Sequence, residues 1–111
     1  MNFVDSADAT IDLFRAVTPE ELQSIQELGA FSNPYGIGSK YFSTTLAGAQ
    51  SDAAQAEQVF GDEPYSFVRT TIPTRSITPD MVVSVDGGVP TVVVPEEVLP
   101  VLTEPIIVEL P

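Results

Sequence analysis

The 111-residue chain has no cysteine, no histidine and no tryptophan, and only four Lys and Arg in total. These absences exclude whole classes of chemistry. Without cysteine there is no disulfide and no thiol nucleophile, and without cysteine and histidine together there is no ordinary zinc site. The missing histidine also removes the Ser-His-Asp arrangement and histidine-based ribonuclease mechanisms. No apolar run approaches the ~20 residues of a membrane span. The opening Met1-Asn2-Phe3-Val4-Asp5 carries neither the basic region nor the apolar core of a signal peptide. Sixteen Asp and Glu against four cations give a net charge of −12. That balance argues against a general binder of phosphate backbones, which needs several clustered cations. The carboxylates nowhere form an Asp-x-Asp-x-Asp-Gly calcium loop, so no metal is expected.

What is present reads as one folded domain. Hydrophobic residues make up 43% of the chain and the mean hydropathy is +0.17. Residues 1–10 are small and polar and read as a linker or leader; 11–111 form the expected single domain. Ile11 to Val17 alternates as a strand, with Ile11, Leu13, Arg15 and Val17 on one face. Thr18-Pro19-Glu20-Glu21 is a helix start, with Thr18 as N-cap, Pro19 at the first helical position and Glu21 completing a Thr-x-x-Glu capping box. Leu22, Ile25 and Leu28 form the apolar stripe, and Gly29 is the natural stop, which predicts a helix from Pro19 to Leu28. Lys40 to Thr45 reads as a second strand. Leu46 to Phe60 reads as an Ala-rich helix, capped by Thr44 or Thr45. Ser66 to Ile72, Met81 to Val85, Thr91 to Val94 and Ile106 to Leu110 read as four more strands, the middle pair flanking the turn signal Asp86-Gly87-Gly88. The ten prolines, concentrated late in the chain, favour short strands. The expected fold is α+β: two early helices packed on a mostly antiparallel, Pro-punctuated sheet.

The cations are as informative as they are few. Neither predicted helix contains Lys or Arg, whereas Arg15, Lys40 and Arg69 fall on or beside predicted strands. A charge among strand residues needs a partner, because an unpaired buried charge is costly. Either these three converge on an anionic ligand, or each pairs with one of the sixteen carboxylates.

The run Leu13-Phe14-Arg15-Ala16-Val17-Thr18-Pro19-Glu20-Glu21-Leu22, followed by Lys40-Tyr41-Phe42-Ser43-Thr44-Thr45 before an Ala-rich helix, resembles the ADP-ribosyltransferase-like toxin domains of bacterial polymorphic and contact-dependent inhibition toxins. Pro64-Tyr65 to Pro73 and the segment from Val85 to Pro95 extend the likeness over about residues 13 to 100. The resemblance implies an ADP-ribosyltransferase-like fold and a bacterial antibacterial effector that uses NAD as substrate, by transfer or by hydrolysis. It implies that Arg15 contacts NAD and that Ser43-Thr44-Thr45 shapes the nicotinamide pocket. It also implies that Tyr41 and Phe42 supply ring contacts, and the placement of the cations adds Lys40 and Arg69 as further anion contacts. A late-strand Glu completes the family pattern, and here that strand begins at Thr91. The nearest acids are Asp86 before it and Glu96-Glu97 after it, so Asp86, Glu97 and Glu96 are the candidate replacements. Cleaving a ribosyl–nicotinamide bond makes an oxocarbenium-like centre, which favours a nearby carboxylate, and none of this requires histidine, cysteine or metal. Structural roles compete with each assignment. Ser43-Thr44-Thr45 would equally end a strand and cap a helix, and Glu96-Glu97 would equally sit in the first turn after Pro95.

Two other functions fit the composition. One is a metal-independent ribonuclease toxin built on Arg15, Lys40, Arg69 and the Thr70-Thr71 hydroxyls. The other is an acidic, non-catalytic binding or immunity module. Convergence of Arg15 with Ser43 and Tyr41 favours NAD chemistry; convergence of Lys40, Arg69 and Thr71 favours the nuclease; cations scattered in salt bridges favour the binding module. In the toxin case the expected form is a monomer, delivered into a target cell as part of a larger protein. Its macromolecular target is unspecified, and its cognate immunity protein is expected to present a basic interface.

Overall fold

The computed structural model describes residues 9–32, 38–60, 65–85 and 89–109. Strand β1 spans Thr10–Val17, helix α1 Pro19–Leu28, β2 Ser39–Ser43 and helix α2 Leu46–Phe60. Then come β3 at Ser66–Pro73, β4 at Val82–Val85, β5 at Val89–Pro95 and β6 at Ile106–Ile107. Short 3₁₀ turns at Thr74–Ser76, Pro79–Met81 and Glu96–Val101 link the later strands. The six strands make one sheet in the order β4-β5-β2-β1-β3-β6, with every neighbouring pair antiparallel. The fold is α+β, as the element pattern predicts.

Local chemistry explains where the elements stop. Thr18 Oγ1 accepts the Glu21 N–H at 3.2 Å and Pro19 opens α1. At the other end Gly29 takes φ +69°, and its N–H bonds to Ile25 O at 2.7 Å. That left-handed step closes the helix with little strain only for a residue without Cβ. Thr45, rather than Thr44, caps α2: its Oγ1 accepts the Gly48 N–H at 3.0 Å. Strand β2 therefore ends at Ser43, two residues before the expected limit. At the start of the domain, the Thr74 N–H and hydroxyl both bond to Ala9 O, at 2.9 and 3.2 Å. Strand β1 thus begins at Thr10, one residue before the expected Ile11, while residues 1–8 lie outside the described part. Strand β6 stops at Ile107, although Val108 N–H still reaches Phe67 O at 2.8 Å; Leu110, the expected end of the strand, lies outside the described residues.

Alternation divides the side chains between two faces. On one face Leu13, Val17, Phe42, Val68, Ile72, Val92 and Val94 are buried and form the main core. Helix α1 contributes Ile25, and Phe31, Met81 and Leu99 from the connecting segments close it. Each large aliphatic or aromatic side chain buried there contributes about 1.5–3 kcal/mol. Phe31 meets Phe42 edge to face, with centroids 5.1 Å apart. On the other face α2 lies over β1 and β3, packing Ala49 and Ala53 against Phe67, Phe14 and Ala16. Small residues at these positions let the helix axis approach the sheet closely.

The sheet is not uniformly paired. Strand β1 is in register with β3 along its whole length, from Thr10↔Pro73 to Val17↔Ser66. Its pairing with β2 is confined to Phe14↔Ser43. Among the described residues no other pair joins the two strands, which leaves a seam in the middle of the sheet. Ser43 also opposes Thr91 of β5, so it sits at the joint between the two halves.

Candidate functional site at the seam

Arg15 lies on β1 beside the seam, and its guanidinium spans it. Nε donates to Glu21 Oε2 at 2.8 Å, Nη2 to Glu21 Oε1 at 3.0 Å, and Nη1 to Tyr41 O at 2.9 Å. The two bonds to Glu21 form the parallel fork that arginine and carboxylate geometry favour. The bond to Tyr41 O satisfies a β2 carbonyl where strand pairing has been given up. Arg15 Cζ also stands 5.9 Å from the centroid of the Phe42 ring. Lys40 reaches the same carboxylate, Nζ to Glu21 Oε2 at 3.4 Å, with its side chain only 10% exposed.

Glu21 is therefore the hub. The capping reading placed its side chain back on the Thr18 backbone, but only the Thr18 half of that box is made. The carboxylate turns instead to Arg15 and Lys40, because bonding two nearly buried cations outweighs one bond to a backbone N–H. Burial pushes the Glu21 pKa upward, but hydrogen bonds and charges from Arg15 and Lys40 overcome it and hold the group below its ordinary value. Two cations share one carboxylate, so the cluster carries a local charge of +1 within a chain of −12.

A concavity of about 320 Å³ opens between the seam and α2. Arg15, Tyr41, Asp52, Tyr65 and Thr91 line it, and Ala16, Ala53 and Ala56 give it a low floor. Ser43 is almost fully buried at 1% exposure, and its Oγ donates to Asp52 Oδ2 at 3.1 Å. Rings, one carboxylate and one guanidinium thus surround a space in the range typical of small-molecule sites.

Not every residue expected at the site is brought there. Arg15 and Tyr41 line the concavity, and Ser43 adjoins it through Asp52. Phe42 does not line it: strand alternation turns it to the opposite face from Tyr41, where it is 1% exposed in the main core. Lys40 lies on that same core face, held by Glu21. Thr44 uses its N–H on Pro90 O at 3.4 Å and leads into α2. Arg69 is exposed on β3, 3.9 Å from Asp12, away from the concavity. Glu97 is exposed in the 3₁₀ turn after Pro95. Pro95 opposes Ser39 and Thr91 opposes Ser43, so Glu97 lies beyond the far end of β5, about 13 Å or more from Ser43 at 3.3 Å per residue. Asp86 lies outside the described residues. Among those residues no cluster of three or more metal-ligating side chains forms, and no helix is long and apolar enough to cross a membrane.

The acid the structure does bring to the site, Asp52, was not singled out from the sequence. Its signal was faint: one carboxylate at the margin of the Ala49, Ala53 and Ala56 stripe, the stripe that seats α2 on the sheet. Comparisons with models of known families, with curated proteins and with solved structures find no match.

Proposed function

We propose that this domain binds NAD in the concavity at the β1–β2 seam and cleaves its nicotinamide–ribose bond, by ADP-ribosyl transfer or by hydrolysis, on an ADP-ribosyltransferase-like fold. The observation that carries the reading is the gathering of Arg15, Tyr41 and the Ser43–Asp52 pair around one concavity. Three of the five Arg15 N–H donors are engaged among the described residues. Those left, beside a cluster of net positive charge, suit one phosphate of a dinucleotide. Tyr41 and Tyr65 suit a planar ring, and the positive charge of a pyridinium strengthens that contact. In the bacterial toxin setting that the sequence resemblance implies, the domain acts after delivery into a target cell. It is then held in check by an immunity protein whose Lys and Arg meet the exposed carboxylates.

The test is nicotinamide release from NAD by the purified domain, in buffer and in cell lysate, with Arg15→Ala and Tyr41→Ala beside it. Release that falls at least about tenfold in both variants supports the reading. Tyr41→Ala is the cleaner of the two, since the residue is 56% exposed and the loss of its ring leaves the Glu21 hub intact. No release by the wild-type chain under either condition counts against it.

The ion pairs favour a second reading, an acidic binding module without catalysis. Arg15 and Lys40 are taken up by Glu21, and Arg69 faces Asp12. Capture of a basic protein partner by a catalytically silent domain, weakening steeply with salt, would support it. The nuclease arrangement finds less support. Lys40 and Arg69 lie on opposite faces of the sheet, and the Thr71 hydroxyl lies 3.0 Å from Thr103 Oγ1.

A further inference from the structure

Asp52 differs from the other carboxylates described above. Glu21 is consumed by Arg15 and Lys40, and Asp12 faces Arg69. None of the ion pairs among the described residues includes Asp52. Its side chain instead lines the concavity while a fully buried serine hydroxyl fixes one of its oxygens. Ser43 is itself the best-anchored residue of β2, opposed by Phe14 on one side and Thr91 on the other. The donor that orients the carboxylate is therefore held by strand pairing on both sides, and among the described residues the second carboxylate oxygen faces no hydrogen-bond donor. The alanine floor allows a ring to lie close to the helix and sheet backbones. A single oriented carboxylate beside two tyrosines and an arginine is a site for a ligand with a cationic, planar part and an anionic part.

We infer that Asp52 supplies the carboxylate for cleavage of an N-ribosyl-pyridinium ligand, and that Ser43 is its positioning residue. This rests on the reading of the concavity as an NAD site. As the bond from the ribosyl carbon to the ring nitrogen breaks, its electron pair goes to the nitrogen and nicotinamide leaves neutral. Positive charge moves to the ribosyl carbon and ring oxygen, where the Asp52 carboxylate stabilises it. A water oxygen then bonds to that carbon, and the water proton passes to Asp52 and on to solvent. The products are ADP-ribose, nicotinamide and one proton. With an acceptor nucleophile in place of water, the same carboxylate takes the acceptor's proton. The acid thus comes from α2, and neither Glu97 nor a late-strand glutamate is required.

The test compares nicotinamide release by wild type, Asp52→Asn, Ser43→Ala and Glu57→Gln, the last an exposed acid on the same helix. The expected result for Asp52→Asn is a kcat lowered by about 100- to 1,000-fold with KM changed by less than about threefold. Ser43→Ala is expected to lower kcat by roughly tenfold with KM unchanged, and Glu57→Gln to match wild type. Partial unfolding also lowers apparent kcat at constant KM, so the kcat and KM split is read per folded molecule, at a temperature well below each variant's own melting transition. If Asp52→Asn melts below the assay temperature, Ser43→Ala decides the question by the same split. A wild type that releases nicotinamide beside an Asp52→Asn variant of equal kcat overturns the role of Asp52 and leaves the NAD reading intact. A wild type that releases none overturns the NAD reading, and the role of Asp52 with it.

Discussion

Replacing Glu21 by glutamine should destabilise the domain more than any other single charge neutralisation described above. The variant keeps the size of the side chain and removes the charge that two cations share. Arg15 Nε and Nη2 lose a charged acceptor at 2.8 and 3.0 Å, and Lys40 loses one at 3.4 Å. The three side chains are 10–22% exposed, so the cations would remain near each other with little water to screen them. Breaking one side of a buried pair costs about 3–5 kcal/mol, and partial exposure lowers that here to about 2–3 kcal/mol. For a domain of this size such a loss lowers the melting temperature by roughly 8–20 °C. Urea unfolding at pH 7 is the assay, with exposed Glu20→Gln as a control expected within about 0.5 kcal/mol of wild type. The pH dependence adds a second signature. Because the folded-state pKa of Glu21 is depressed, its stabilisation is fully present above the ordinary value of 4.5 and is lost as pH falls through the folded value. Wild type and Glu21→Gln should therefore converge in acid. A Glu21→Gln variant within about 0.5 kcal/mol of wild type at pH 7, or a gap that persists undiminished far into acid, would refute the hub.

Other outcomes follow from the same structure. Gly29→Ala should cost about 1–2 kcal/mol in chemical denaturation; among the described residues the added Cβ meets only Glu104 Oε2, at 3.8 Å, so the loss is conformational and not steric. Ala53→Leu should lower stability by about 1–3 kcal/mol by forcing α2 off Phe67, and equal or greater stability would show that the helix is not tightly seated. Thr103→Val should cost about 1–2 kcal/mol, because the Thr103 hydroxyl accepts the Thr71 N–H at 2.9 Å and lies 3.1 Å from Thr70 Oγ1; faster amide exchange at Thr71 would report the loss.

The sequence made some parts of this molecule legible and hid others, for reasons that lie in the range of the interactions. Helix α1 was readable to both ends because Thr18, Pro19 and Gly29 act within one turn of themselves. Most strand limits were readable within one or two residues because alternation and proline are local signals too. The strand order was not readable: β1 lies between β2 and β3 while β2 pairs with β5, about fifty residues away in the chain, and no local pattern encodes that. The sparse pairing of β1 with β2, beside which the concavity lies, depends on that order and was equally hidden. The need of Arg15 for a partner was legible from its apolar strand face. The identity of that partner was not, because Glu21 already had a local explanation as a capping residue. Asp52 was hidden by its company, since an acid in an Ala-rich helix looks like a solvated surface residue until the strand beneath it is known. Lys40, Phe42 and Arg69 fell away from the site for one reason: alternation and strand order sent them to other faces or edges.

The most direct test of the account is a titration of the isotope-labelled wild-type domain with a non-cleavable carbocyclic analogue of NAD, followed by resonances at the seam. Saturable shifts at the Arg15 side-chain N–H, Tyr41, Asp52 and Tyr65 are the predicted result, with α1 and β6 residues such as Gln26 and Ile107 unmoved. Shifts confined to the groove lined by Gln26, Glu104 and Ile107, or no saturable change anywhere, would contradict the placement of the site at the seam.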